Sequence, residues 1–406
     1  MRSLRGLAVL AVAVGLAAGC GSTAPPGASS TPSGRATAST PGGGTTPAPS
    51  RPAPASTSAT APPAPSAAVP ANFEPVSASF WSPAQGVALG GVGCAGRSAC
   101  TARLAVTADG GAHWRFLTAP DVRLFNIAGN SLTQSSAVRG VVFADRLDGW
   151  LYGPGLYATH DGGAHWSRIF LGGDVIPSLG GGVVTMAASS GSTYAVVSPD
   201  PFHGNPEELY KSPAGRNAWA RAGRMTATLA TLATSGRAAW FASGAGFGAP
   251  ATHLWATADG VHWHQYPFAC PGSYGLQSIA AASPSDLVFL CTGESATGHT
   301  EKEVLRSANG GKTEHLVGPA PLGGVGGVIA VPPRGSAVIT LAAEYFLYRS
   351  ADGGKTWKTV LFYDGGATWS SLSYVSGTVG SVVVSSGGQW LLRTTDVGLT
   401  WHQIAF

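Results

Sequence analysis

The sequence predicts an all-β protein, a seven-bladed propeller of four-stranded antiparallel blades preceded by a disordered linker. Three observations support this fold class. Only 11% of the 406 residues are charged and 58 are glycine, which is unlike a bundle of amphipathic helices. A short phrase recurs seven times between residues 100 and 402, and short apolar runs precede each copy. The copies are about 48 residues apart, which is the period of a four-stranded propeller blade.

The repeated phrase has the form Ser/Thr-x-Asp-Gly-Gly-x-x-Trp. Its clearest copies span residues 107–114, 159–166, 350–357 and 394–401. Three copies are degenerate, because residues 257–263 are one residue short, residues 307–314 end in Glu314, and residues 212–219 lack the Asp. Counted at the Asp position, the seven copies fall at residues 109, 161, 214, 259, 309, 352 and 396.

This phrase resembles the Asp-box, or BNR, repeat, and its chemistry is that of a stapled turn. An Asp or Asn at a turn accepts hydrogen bonds from amides about two residues further on, and the glycines supply the positive φ of a tight hairpin. The Ser/Thr hydroxyl closes the turn, and the Trp starts the next strand and packs between blades. The expected staples, structural rather than catalytic, are Asp109, Asp161, Asp259, Asn309, Asp352 and Asp396.

The strands follow from the apolar runs around each box. In one blade these runs are residues 141–143, 149–153, 155–159 and 166–169. The same four-strand pattern recurs at residues 79–117, 184–222, 227–266, 277–317, 328–361 and 371–405. No ring-closing strand is evident, so we expect closure by packing or by pairing of residues 73–76 at the outer edge.

The Gly-Trp-x-x-Gly run that precedes the Thr-x-Asp-Gly-Gly-x-x-Trp box also resembles the seven-bladed propellers of photosystem II assembly and stability factors. The resemblance covers residues 75–406 and implies the fold. It does not carry over a photosystem role, because no partner-binding motif can be matched residue by residue.

Residues 1–19 have the layout of a lipoprotein signal peptide. Arg2 and Arg5 precede an uncharged run at residues 7–18. The run Leu-Ala-Ala-Gly-Cys ending at Cys20 resembles the lipobox of bacterial lipoproteins, which implies cleavage before Cys20 and lipidation of its thiol. The alternative is an ordinary secreted protein in which Cys20 has no role. Either way, we expect an exported protein, and in the first case one held at the outer face of the cytoplasmic membrane.

Residues 20–70 are expected to form the lipidated cysteine and a disordered linker, and residues 71–406 the propeller. Residues 22–70 contain twelve of the 29 prolines and are otherwise almost entirely Ala, Ser, Thr and Gly, so they cannot bury a core. As a coil, this linker would span about 40 Å.

The remaining cysteines suit an oxidising compartment. Cys94, Cys100, Cys270 and Cys291 form an even set in a chain predicted to be exported. Three connectivities are possible. We favour pairing Cys94 with Cys100, which bracket a short hairpin-like excursion, and Cys270 with Cys291, which flank one strand-turn-strand stretch. We expect no metal, since CxxC spacing is absent and His262 and His264 lack a third ligand nearby.

Charge excludes some partners. From residue 71 onward, 20 basic residues balance 20 acidic ones. This balance argues against nucleic acid and against direct binding to an anionic membrane surface, which leaves the lipid anchor as the membrane contact. We expect a monomer without a cofactor.

The ring face opposite the boxes is the expected ligand face, because loops vary freely there on a rigid scaffold. Its longer predicted loops are residues 119–140, 198–208, 266–275, 292–303 and 362–370, with a shorter loop at 344–346. The candidate ligand-face residues are Asp200, Glu207, Glu208, Tyr274, Glu294, Glu344 and Asp364.

Two function classes remain. The first is a non-catalytic propeller that binds an envelope protein, a peptide or a glycan, or acts as an assembly scaffold. The alternative is a surface glycoside hydrolase, because Asp-boxes occur in sialidases, and pairs such as Asp200 with Glu294 could supply two carboxylates. The sequence lacks the Arg-Ile-Pro motif of sialidases, and Arg306, Arg349 and Arg393 repeat just before the boxes as strand residues would.

Overall fold

The computed structural model describes residues 68–94, 100–125, 135–172, 181–189, 191–199, 206–226, 230–243, 253–272, 274–296, 299–364 and 366–406. The signal peptide, Cys20 and nearly all of the linker lie outside these residues and stay predictions. No helix in the described part of the chain is long and apolar enough to cross a membrane.

In the part of the chain that the structure describes, twenty-eight strands form seven antiparallel sheets of four, each built from strands consecutive in the chain. The first blade comprises β1 (Phe73–Phe80), β2 (Gly86–Val92), β3 (Arg103–Thr107) and β4 (Arg115–Leu117). The second comprises β5 (Gly140–Phe143), β6 (Gly149–Tyr152), β7 (Leu156–Thr159) and β8 (Ser167–Ile169). The third comprises β9 (Gly182–Ser189), β10 (Ser192–Ser198), β11 (Pro206–Pro213) and β12 (Ala220–Thr226).

The other four blades repeat this order. The fourth comprises β13 (Ala230–Ser235), β14 (Ala238–Ser243), β15 (His253–Thr257) and β16 (Trp263–Pro267). The fifth comprises β17 (Gly275–Ala281), β18 (Leu287–Ala296), β19 (His299–Ser307) and β20 (His315–Pro319). The sixth comprises β21 (Val328–Ala330), β22 (Ile339–Ala343), β23 (Phe346–Ser350) and β24 (Lys358–Phe362). The seventh comprises β25 (Thr368–Tyr374), β26 (Gly380–Ser385), β27 (Gln389–Thr394) and β28 (His402–Gln403). The predicted seven-bladed fold is confirmed.

The first strands of successive blades contact one another around the ring, so they are the inner strands. A hydroxyl on one inner strand often accepts the amide of the next: Ser77 Oγ accepts from Val141 N at 3.2 Å, and Ser278 Oγ accepts from Ile329 N at 3.3 Å. The seventh blade meets the first in the same way, because Ser371 Oγ accepts from Ala78 N at 3.2 Å.

Apolar packing also closes the seam between the seventh and first blades. Val69, Phe73 and Trp114 are buried in one apolar cluster with residues of β26 and β27. The Phe406 ring lies 4.7 Å from that of Phe73 and 4.8 Å from that of Trp114. The alternative, an outer-edge pairing of residues 73–76, is wrong, because these residues belong to the inner strand β1 and pair with β2.

Each box lies between the third and fourth strands of its blade, and the six boxes with Asp or Asn make the hydrogen bonds of a staple. In the sixth blade Asp352 Oδ1 accepts from Thr356 N at 2.9 Å, and Ser350 Oγ accepts from Gly354 N at 2.8 Å. Gly353 and Gly354 have φ of 79° and 103°. Gly353 N donates to Ala337 O at 2.8 Å, which ties the box to the turn between the first two strands, on the same ring face. Asn309 makes the same contacts in the fifth blade.

The structure contains two disulfides, Cys94–Cys100 and Cys270–Cys291, which is the pairing that we favoured. Cys270 and Cys291 are buried where the fourth and fifth blades meet. Two disulfides indicate an oxidising, exported environment.

Candidate functional site

The sequence-predicted ligand residues separate into four groups. Asp200 lies outside the described residues. Glu294 lies on β18, not on a loop, because β18 extends over residues 287–296 and pairs with β19 over residues 299–307; its side chain is outside the described set. Glu207 and Glu208 lie on β11, not on a loop. Tyr274, Glu344 and Asp364 lie between strands, as expected.

Glu207 and Glu208 point to opposite sides of their strand and differ in environment. Glu207 is fully buried, which corrects its expected exposure. Burial raises the pKa of Glu208, but hydrogen bonds from Tyr210 Oη at 2.7 Å and Arg221 Nη1 at 2.9 Å, with the nearby guanidinium charges, lower it overall. Glu207 is therefore removed from the surface, and Glu208 is engaged by Tyr210 and Arg221 of its own blade.

Glu344 occupies the two-residue turn between β22 and β23, where Ala343 pairs with Phe346. Its φ is 30°, a left-handed conformation that is uncommon for a residue other than glycine. Two hydrogen bonds hold it there: Glu344 Oε2 accepts from Val325 N at 3.0 Å, and Glu344 O accepts from the Trp369 indole at 2.8 Å. The turn is thus fixed by the Gly-rich segment before β21 and by the inner strand of the seventh blade.

A pocket of about 320 Å³ opens beside this turn. It spans the inner strands of the fifth, sixth and seventh blades, and among the described residues that line it Glu344 is the only titratable one. Its walls are residues 325–328, 342–344 and 367–369, with Gln277. The Trp369 ring closes one side, and its N–H is already satisfied by Glu344. The pocket therefore offers an apolar wall and one carboxylate.

An aromatic patch extends outward from the pocket on the same face. The ring centroids lie 5.1 Å apart in Phe346 and Phe362, 5.7 Å apart in Tyr363 and Trp369, and 6.0 Å apart in Tyr363 and Trp390. Tyr363 N donates to Tyr345 O at 2.9 Å, which brings Asp364 close to the Glu344 turn. Phe362 is 53% exposed and Asp364 is exposed. Of these rings Phe362 is exposed and the others are half-buried, with Tyr363, Trp369 and Trp390 packed against one apolar cluster of the seventh blade. We call the set the aromatic patch; its members are Tyr345, Phe346, Phe362, Tyr363, Trp369 and Trp390.

Lys302 holds the Gly-rich segment that contacts Glu344. Its side chain is 1% exposed, and its ammonium, with three N–H donors, lies within hydrogen-bond distance of five backbone carbonyls, those of Thr300, Pro321, Leu322, Gly323 and Gly324. Burial lowers the pKa of Lys302 to about 8, and the charge of Glu344 opposes that shift. Lys302 therefore shapes the segment that donates Val325 N to Glu344.

A second acidic group lies on the fifth blade. Tyr274 Oη donates to Glu301 Oε2, and this hydrogen bond raises the pKa of Tyr274 to about 12. Burial, and secondarily the charge of Glu301, raises the pKa of Glu303. Glu301 and Glu303 are two residues apart on β19, so their Cα atoms are about 6.7 Å apart and both side chains lie on one side of the sheet.

Sequence reasoning missed Lys302 and most of the aromatic patch. Tyr363, Trp369 and Trp390 each fit a strand or strand end, and only the meeting of two blades brings them together. The signal that was visible is the short Glu344-Tyr345-Phe346 loop. Within the described residues, no group of three or more His, Cys, Asp or Glu side chains is placed to hold a metal ion. His262 Nδ1 lies 2.7 Å from Asp259 Oδ2, within its own box.

The fold and the repeated box define this chain as a seven-bladed propeller with Asp-boxes. The BNR/Asp-box repeat model matches residues 348–359, within the sixth blade. A solved structure of YCF48 bound to D1 peptide is 21% identical, with a TM-score of 0.52, over 81% of this chain and 95% of that chain. An alpha-L-arabinanase of Penicillium chrysogenum complexed with arabinobiose is 11% identical, with a TM-score of 0.44, over 82% of this chain and 99% of that chain.

These structural similarities concern the fold alone. No curated protein sequence matches this chain.

Proposed function

We propose that this protein is an exported, membrane-anchored propeller that binds a peptide segment of an envelope protein on its loop face, without catalysis. The observation that carries the proposal is the aromatic patch beside a pocket with a single carboxylate. Aromatic rings are the side chains that most often dominate binding energy at interfaces. Glu344 and Asp364 add negative charge, so the patch suits a segment with apolar and cationic side chains.

The rigidity of the site supports binding. The Glu344 turn is held by Val325, Trp369 and, through the Gly-rich segment, by Lys302, so little order has to be gained when a ligand binds. The relative with a bound peptide, YCF48 with D1 peptide, has the same fold and favours a peptide over a small molecule. The lipid on Cys20 and the linker would keep the propeller near the membrane and within reach of membrane partners.

The test is capture of short immobilised peptides by the purified full chain. One array combines Arg or Lys with Leu, Phe and Pro, and a matched array replaces each Arg or Lys by Glu. We expect binding to the cationic array only. Glu344→Gln keeps an acceptor for Val325 N but removes the charge, so the affinity should fall about tenfold, the equivalent of about 1.4 kcal/mol.

Two further variants distinguish binding at the aromatic patch from non-specific hydrophobic binding. Phe362→Ala removes an exposed ring and should weaken capture several-fold. Leu399 is 57% exposed in the box of the seventh blade, on the opposite face, so Leu399→Ala should leave capture unchanged. Equal binding to both arrays, or equal loss in both alanine variants, would contradict the proposal. Binding of a polysaccharide panel instead of peptides would make the partner a glycan.

Glycoside hydrolysis is the second candidate, and Glu301 with Glu303 favours it. Both side chains lie on one side of β19, as a pair of catalytic carboxylates requires, and the raised pKa of Glu303 suits a general acid. Release of reducing sugar from the polysaccharide panel, abolished in Glu303→Gln and retained in Glu344→Gln, would establish this function. Absence of release would leave the binding proposal as it stands.

A further inference from the structure

The pocket beside the Glu344 turn has walls that suit a flat group. Gly326 and Gly327 give one wall without side chains, and only atoms of its chain neighbours lie within 4 Å of the place that a Cβ atom of Gly326 would take. Trp369 gives another wall. Its indole N–H donates to Glu344 O at 2.8 Å, and its ring lies 5.7 Å from that of Tyr363. A planar group that enters the pocket therefore meets an indole that is already held in place.

Glu344 gives the pocket a negative charge that is partly balanced. Its carboxylate accepts from Val325 N at 3.0 Å and interacts with the Tyr345 hydroxyl. A carboxylate has about four acceptor positions, so Glu344 can still accept from a ligand. The buried ammonium of Lys302 also interacts with this charge. A ligand cation that offers charge alone therefore gains less here than at an isolated carboxylate.

An arginine side chain fits this combination better than a lysine side chain. The guanidinium group is planar and weakly hydrated, and it can stack on an aromatic ring while it donates hydrogen bonds to a carboxylate. A lysine ammonium is a strongly hydrated point charge, so it depends mainly on the charge of Glu344. The cavity of about 320 Å³ has room for one arginine side chain.

The distance from the pocket to Phe362 determines where a second anchor of the ligand can lie. The strand order of the sixth blade is β21-β22-β23-β24. The pocket lies against β21 and β22, and Phe362 ends β24 and is 53% exposed. Neighbouring strands are about 4.8 Å apart, so two to three spacings amount to about 10–14 Å. An extended peptide covers about 3.3 Å per residue, so the two anchors are about three or four positions apart.

We infer that the segment bound at the loop face carries one arginine, whose guanidinium enters this pocket against Trp369 and Glu344, and a large apolar side chain three or four positions away, which packs on Phe362. This inference rests on the proposed function and adds the identity and the spacing of the two anchors. The spacing is the same for either direction of the bound chain.

The test uses capped eight-residue peptides of Ser and Gly that contain one Arg and one Leu, in both orders and one to six positions apart. Their affinity for the full chain is measured by fluorescence anisotropy. Affinity should be highest when Arg and Leu are three or four positions apart. At that spacing, Lys in place of Arg should weaken binding about fivefold, and citrulline, which keeps the shape without the charge, about tenfold or more.

Four variants connect each preference to a residue. Glu344→Gln should weaken Arg and Lys peptides alike, whereas Trp369→Leu should bring their affinities to within about twofold of each other, because the stacking surface is lost. Phe362→Ala should remove the dependence on spacing and keep the preference for Arg. Thr368 is an exposed residue of the pocket lining, so Thr368→Tyr should block the pocket and weaken binding about tenfold.

The matched control is Thr378→Tyr, the same exchange at an exposed position in the turn between β25 and β26, on the box face. It should bind the peptides as wild type does. Melting temperatures of all variants show whether a loss of binding comes from loss of the fold.

Two results would overturn the inference and leave the proposed function in place. One is binding of cationic peptides by wild type with equal affinity for Arg and Lys or at every spacing. The other is undiminished binding by Thr368→Tyr, which would place the arginine elsewhere on the loop face. Absence of binding to every cationic peptide, including the arrays used above, would instead contradict the proposed function, and this inference with it.

Discussion

Glu207 is a buried carboxyl, and its replacement gives a quantitative test of how the third blade packs. Burial raises the pKa of Glu207 from 4.5 to about 8, against smaller opposing effects of the Ala230 amide and the Ser198 hydroxyl. The folded protein therefore keeps this proton at pH values where the unfolded chain has released it. Because the folded-state pKa is the higher one, its contribution to stability is present below pH 4.5 and is lost as the pH rises to about 8.

The size of the effect follows from linkage. Between the two pKa values the free energy of unfolding falls by about 1.4 kcal/mol per pH unit. From pH 5 to pH 8 the loss is on the order of 3 kcal/mol. Glu207→Gln has nearly the same shape and cannot ionise, so its stability relative to wild type should rise by about 3 kcal/mol over that range. For a ring of this size that is about 4 °C in melting temperature.

The assay is urea unfolding of the full chain at pH 5, 6, 7 and 8, with melting temperatures measured in parallel. Glu208→Gln is the matched control on the same strand. Its carboxylate accepts hydrogen bonds from Tyr210 and Arg221, so its loss should lower stability by about 1–2 kcal/mol, nearly constant over this pH range. If the pH profile of Glu207→Gln runs parallel to that of wild type, Glu207 is ionised in the folded protein and the reasoning is refuted.

Three other predictions test the box, the seam and the anchor. Asp352→Ala should lower the melting temperature, whereas Asp352→Asn should be close to wild type, because Asn309 makes the same staple in the fifth blade; equal melting of all three would argue against the staple. Phe406→Ala should cost about 1–3 kcal/mol, because it removes two aromatic contacts at the seam, and unfolding in urea measures this. Cys20→Ser should move the protein from the membrane fraction to the soluble fraction, and continued retention would indicate another tether.

The fold was predictable because the box recurs seven times in the sequence, once in each blade. Each box fixes a hairpin by local hydrogen bonds, so sequence alone locates the turn between the third and fourth strands of every blade. The hairpin of β18 and β19 was not predictable as strand, because polar residues such as Thr300 and Glu301 fit a loop equally well. What orders them is pairing across the hairpin, for example Thr292 with Lys302.

The candidate site was predictable in part. Glu344 and Asp364 stood out as acidic residues between strands, and the structure brings them close together. Glu207 was misplaced because its burial depends on which side of β11 faces the fourth blade. Alternation along a strand leaves that choice open when the two neighbouring residues are both glutamate.

One hydrogen bond recurs at the contacts between neighbouring blades, and it also bears on function. The carbonyl that follows the Asp position of a box accepts a hydrogen bond from the preceding blade at several seams. Trp240 of β14 donates to Gly310 O at 2.8 Å, and its partner across the sheet is the small Ala256. At another seam the donor is Arg349 of β23, which pairs with the smaller Thr340. At each of these two seams, one of the two paired residues has a large side chain that donates the hydrogen bond, and the other is small. The large residue can lie on the second or on the third strand of the blade.

The arginines that precede the boxes have the same structural role: their guanidinium groups are engaged by other residues of the ring and do not bind a ligand on the loop face. Arg393 Nη1 donates to Gly110 O at 2.7 Å, and its guanidinium lies 4.9 Å from the centre of the Phe80 ring. Arg349 Nε donates to Val397 O at 2.8 Å, and Arg306 Nη2 binds both carboxylate oxygens of Asp286 at 2.8 Å. All three groups are engaged on the box face, so they cannot converge on a substrate carboxylate at the loop face. The recognition that we propose at the loop face therefore uses the aromatic patch and the carboxylates, which suit a cationic and apolar ligand better than an acidic sugar.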